Sequence, residues 1–123
     1  MLCSEAWLEN GLIANQNKET LEAFVSFTMS ALFDKDNIIL WVFATISGFI
    51  EQDEKYLHVF DIIKLAYFYH SENYIDLLYD YTDKNLIEIQ NPLMRMVEII
   101  IKDINKEPVT VRILDNNSEY EIL

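Results

Sequence analysis

The sequence predicts a mainly α protein: a single-domain bundle of about five to six helices with a short β-hairpin at its C-terminal end. Three observations carry this. Apolar residues recur at three- and four-residue steps through most of the chain. Only 2 Gly and 2 Pro punctuate 123 residues, too few for the many turns of a sheet protein. The last residues switch to strict alternation, which is strand periodicity. The expected boundaries are 1–123 for the domain, 4–106 for the helical body and 108–123 for the hairpin.

The elements follow in order. Ser4 is expected to cap a first helix carrying Trp7, Leu8, Leu12 and Ile13 and ending near Asn15. Asn17 is expected to cap a second, whose stripe is Leu21, Phe24, Val25, Thr28, Met29 and Leu32. Asp34-Lys35-Asp36-Asn37 breaks the pattern and starts a third. Ile38 to Ile50 has no polar face, and its length favours a helix over a strand. Such a helix belongs at the centre of the core, with Trp41 and Phe43 as packing residues and Ser47-Gly48 easing a close helix contact.

Glu51 to Lys55 is a charged connection. Tyr56 to Tyr69 resumes the helical pattern, with Phe60, Ile63 and Tyr67 on one face. Ser71 is expected to cap a short helix reaching Tyr81. Thr82 to Gln90 fits either a helix end or an extended piece. Asn91-Pro92 is the strongest local start signal: Asn is a good cap, and Pro at the first helical position loses no bond. Leu93, Met96, Val97, Ile100, Ile101 and Ile104 make the stripe that follows. Val109, Val111 and Ile113, then Tyr120 and Ile122 across an Asp115–Ser118 turn, make the hairpin.

Charge is the strongest functional signal. Asp and Glu number 21 against 9 Lys and Arg, a formal net charge of -12. From Leu65 to Asp83 there is no Lys or Arg. Within that stretch Glu72, Asp76, Asp80 and Asp83 are spaced to form one acidic ridge on a helix. Tyr67, Tyr69, Tyr74, Tyr79 and Tyr81 are interleaved with it. The plain alternative is that Tyr74, Leu77, Leu78 and Tyr81 face the core while the acids are only solvated. This charge disfavours nucleic acid and anionic membranes, whose phosphates need cations. It favours a basic protein partner and speeds the encounter.

Catalytic and metal motifs are missing from the sequence. Glu54, His58 and Asp61 share one helical face, but a metal site needs a further ligand from a second element. His70 reads as a polar residue near a helix C-terminus. There is no nucleophile elbow and no phosphate-cradling glycine loop. Cys3, the 1 cysteine, has no partner for an internal disulfide, which fits a reducing compartment. Neither a signal peptide nor a bilayer-length apolar run is recognisable. The expectation is a cytoplasmic protein without cofactor, metal or catalysis.

The function expected is therefore non-catalytic neutralisation of a basic protein, of the immunity or antitoxin type that blocks a nuclease toxin. In size, acidity and want of a catalytic motif the chain is similar in overall character to bacterial immunity proteins, without carrying a family motif. The expected partner-binding residues are Glu72, Asp76, Asp80 and Asp83, with Tyr69, Tyr79, Asp53 and Glu54 beside them. Two alternatives are a DNA-mimic anti-restriction or anti-defence protein, which would spread carboxylates over an extended surface, and a helical-repeat-like adaptor subunit with an apolar groove.

Overall fold

The computed structural model describes residues 3–51, 57–104, 109–112 and 119–122. Six helices define the fold: α1 (Cys3–Gln16), α2 (Thr20–Phe33), α3 (Ile38–Glu51), α4 (Leu57–His70), α5 (Glu72–Asn85) and α6 (Ile87–Ile104). They form a bundle in which α2 packs between α1 and α3, while α4 meets α3, α5 and α6. No described helix is long and apolar enough to cross a membrane. The described residues do not establish the expected C-terminal hairpin. Its entry at 105–108, its turn at 113–118 and its side chains lie outside them, so the fold rests on the helices.

α3 is the core element, as a helix without a polar face must be. Leu40, Trp41, Val42 and Ala44 are fully buried on it, joined by Phe24, Phe27, Ile63, Leu78, Leu93 and Val97 from neighbouring helices. Each large apolar side chain among them stabilises the fold by about 1.5–3 kcal/mol through lost apolar exposure. Phe43 bridges two helices, its ring 5.2 Å from Phe27 and 5.7 Å from Tyr81. Gly48 brings helices into contact: a Cβ there would lie 2.7 Å from both Phe24 and Val59. The small Ser47-Gly48 pair thus sits where α2 and α4 close on α3.

Several expected helix starts are corrected, and each has a physical reason. The Ser4 hydroxyl does not cap α1; it donates to the Ser30 carbonyl at 3.1 Å, while Ser30 Oγ donates to the Ser4 carbonyl at 2.8 Å. Asn17 does not start α2. Lys18 N–H bonds the Asn15 carbonyl and Glu19 N–H the Ala14 carbonyl, the paired pattern that closes a helix C-terminus, with Lys18 in the left-handed region at φ 61. Asn17 therefore ends α1, and Glu19 precedes α2 without a side-chain cap.

Ser71 does precede α5, but its hydroxyl makes no capping bond, and α5 runs past Tyr81 to Asn85. Asn91-Pro92 is not a helix start: α6 begins at Ile87 and contains Pro92. Asn91 and Pro92 are both exposed, so the carbonyl that Pro92 leaves without a helical donor belongs to the solvent-facing side, where water substitutes. The ambiguous stretch Thr82–Gln90 resolves as the end of α5 and the first turn of α6, joined at Leu86.

Candidate functional site

The core face of α5 fixes what its other face does. Tyr74, Leu78 and Thr82 are completely buried. At 100° per residue the four acids fall within an arc of about 80°, turned away from those three. Glu72, Asp76, Asp80 and Asp83 are accordingly all exposed, and Tyr79 stands beside them at 51% exposure. None of the four forms an ion pair with another described residue; the pair Lys102–Glu98 lies elsewhere, on α6. Glu72 accepts one long bond from Tyr67 Oη at 3.5 Å.

Two internal clasps hold this helix. The buried Tyr74 hydroxyl lies 2.6 Å from Thr45 Oγ1. Thr45 commits its single proton to the Trp41 carbonyl at 2.8 Å, so Tyr74 must be the donor between them. Burial pushes the Tyr74 phenol well above its ordinary range. At the other end, the buried Gln90 amide of α6 donates to the Tyr79 carbonyl at 2.9 Å and to Thr82 Oγ1 at 3.2 Å. Thr82 Oγ1 in turn donates to the Leu78 carbonyl at 2.9 Å.

Tyr69 is not on the ridge. It is half-buried on α4, stacked on Trp41 at 5.8 Å and facing the α2–α3 loop. There the Lys35 carbonyl accepts from Trp41 Nε1 at 2.9 Å and from His70 Nε2 at 2.8 Å. Lys35 Nζ itself stands 6.0 Å from the centre of the Tyr69 ring. Asp53, Glu54 and the His58 side chain lie outside the described residues. Asp61 is buried and has an interaction partner. No group of three metal-capable side chains occurs among the described residues.

The sequence reading thus gathers five of its eight site residues on one face, places Tyr69 around the corner from it, and leaves two outside description. It missed Lys35, which meets Tyr69 only because the α2–α3 loop folds back onto the end of α4. A cleft of about 180 Å³ opens beside Phe27, Phe43 and Tyr81. A wider apolar groove of about 450 Å³ runs between α4 and α6 past Phe60, Met96 and Ile99. Comparison with family models, with curated proteins and with solved structures finds no match to this chain.

Proposed function

We propose that this chain is a non-catalytic acidic binding protein that neutralises a basic protein partner, acting as an immunity or antitoxin-type inhibitor of a nuclease toxin in the bacterial cytoplasm. The observation that supports the reading is the exposure of Glu72, Asp76, Asp80 and Asp83 together on α5, without described cations paired to them. A nuclease holds phosphate with cations, and an ordered row of carboxylates can occupy the same positions. Long-range attraction would quicken association, and close charge pairs would slow release. Tyr79 adds apolar area with a hydroxyl beside the charges, a residue type favoured at interfaces.

The test is capture of a partner from the native host at low and high salt, using the wild type and Asp76→Lys/Asp80→Lys. The reading expects one basic protein, bound one to one and retained only by the wild type. Titrating its nuclease activity should reach baseline at one equivalent of inhibitor. Capture indifferent to the charge reversal would move the interface off α5. Retention of several unrelated DNA-binding proteins would favour a DNA mimic instead.

A further inference from the structure

The cleft of about 180 Å³ is walled by four helices: Leu12 comes from α1, Phe27 from α2, Phe43 and Ser47 from α3, and Tyr81 and Asn85 from α5. No Lys, Arg, His, Asp or Glu lines it, in a chain of which 24% is charged. Its wall is aromatic and held in place. The buried Phe27 ring stands 5.2 Å from that of Phe43, which meets Tyr81 edge to face at 5.7 Å. α1 closes on Phe27 at Gly11, where a Cβ would lie 2.6 Å from the ring. One polar group of this wall has no protein partner to explain it. Ser47 is only 7% exposed and shares with Phe43, Ile46 and Ile50 the helix face that lines the cleft. Buried hydroxyls are ordinarily bonded, and those of Ser26, Ser30, Thr45 and Thr82 are. The Ser47 hydroxyl bonds no described residue, and unlike Thr28 Oγ1 it is not sealed in the interior.

We propose that this cleft binds a small uncharged aromatic molecule bearing one hydroxyl, of the size of phenol, with Ser47 as its hydrogen-bonding residue. The inference goes beyond the partner reading and does not depend on it. Volume sets the size: an apolar cavity of about 150 Å³ accepts benzene, so this one holds a ring and one small substituent. The neutral lining sets the charge, because an ion entering it would lose water without gaining a counter-ion. The three rings set the shape, since aromatic groups pack best on another planar ring, offset or edge to face. Ser47 sets the substituent: its hydroxyl both donates and accepts. Asn85 adds an acceptor at the exposed rim, because its amide nitrogen is committed to the Tyr81 carbonyl at 3.1 Å and its Oδ1 is left open. A pocket between the helices of a bundle is a usual setting for a free ligand.

The experiment titrates phenol, toluene and benzoate into the full chain at neutral pH and follows the Phe27, Phe43 and Tyr81 ring protons by NMR. Phenol should shift all three rings saturably, with a Kd of about 1 mM, which suits so small a ligand. Benzoate, which has the ring but carries a charge, should not bind. Ser47→Ala keeps the residue small beside Gly48 and removes only the hydroxyl. It should weaken phenol about 2–10-fold and leave toluene unchanged. Toluene therefore reports that the variant's cleft is intact while phenol reports the lost bond. An acetylated and amidated Gly-Tyr-Gly peptide presents the same ring on a backbone and should bind more weakly than phenol. Ring protons that do not saturate with phenol overturn the inference, as does a Ser47→Ala effect that is absent or equal for phenol and toluene. Binding of the peptide as tightly as phenol also overturns it and assigns the cleft to a tyrosine of a protein partner.

Discussion

Replacing Tyr74 with phenylalanine removes one hydroxyl from a completely buried ring and tests the electrostatics of the core directly. At neutral pH the loss is one hydrogen bond, because Tyr74 donates to Thr45 Oγ1. Thr45 keeps its own bond to the Trp41 carbonyl, so no donor is stranded and the cost should be about 1 kcal/mol. Raising the pH changes the balance. The unfolded phenol ionises near its ordinary value of about 10, whereas burial holds the folded one protonated well beyond that. Above pH about 10 the unfolded state therefore loses a proton that the folded state keeps. Stability that is fully present below this point falls by about 1.4 kcal/mol per pH unit until the folded phenol itself ionises. The phenylalanine ring of the variant has no such proton. The advantage of the wild type, about 1 kcal/mol at pH near 8, should shrink to nothing or reverse by pH about 11. Urea unfolding of both proteins at constant ionic strength measures the difference, in which contributions from the remaining tyrosines cancel. A difference unchanged between these pH values would refute the buried-donor assignment.

Four further outcomes are expected. Gly48→Ala should destabilise by about 1–2 kcal/mol in urea unfolding although alanine is the better helix former, because its Cβ would lie 2.9 Å from Val59 Cβ, which cannot swing aside. Thr28→Val should raise stability by about 1 kcal/mol, since the Thr28 hydroxyl is buried without a partner among the described residues and valine keeps the shape; calorimetry showing a lower melting temperature would contradict this. Lys18→Gly should add up to about 1 kcal/mol in urea unfolding by relieving the left-handed conformation at φ 61, offset in part by the freedom glycine gives the unfolded chain. Asp76→Asn should stabilise α5 by about 0.4–1 kcal/mol at low ionic strength by removing like-charge neighbours at positions 72 and 80, a gain that added salt should erase in the same unfolding assay.

What the sequence made legible was whatever rests on one helix at a time. The all-apolar α3 and the Leu93–Val97–Ile100 seam of α6 are set by burial, which periodicity reports directly, whereas the expected α2 stripe holds only in part: Phe24 and Thr28 are buried, but Leu21 is exposed and Ala23, Phe27 and Ala31 complete the buried face. The acidic row on α5 is equally local, because spacings of four, four and three fix a face once the opposite face is buried. Helix starts were harder. Asn17, Ser4 and Asn91 are each competent caps, but the decision lay with groups distant in sequence or with the turn beyond. Ser4 found Ser30, Asn17 closed the preceding helix, and the α6 turn ahead of Asn91 was secured by buried Gln90. The contact between Lys35 and Tyr69 was invisible for the same reason: the two are 34 positions apart in sequence and meet through a loop tied to His70 by a backbone carbonyl.

The two clasps on α5 have a consequence for any cation that approaches its acidic face. Tyr74 anchors the first turn to α3, and Gln90 anchors the last turns to α6. The carboxylates ride on a backbone that has already surrendered its freedom during folding. A partner then has only side-chain rotamers to order, at about 0.5–1.5 kcal/mol for each long chain immobilised, rather than a helix to assemble. The mutual repulsion of Glu72, Asp76 and Asp80 is likewise met in advance by the core. Its release on neutralisation adds to the attraction, so the face behaves as a loaded spring whose tension is set before the partner arrives.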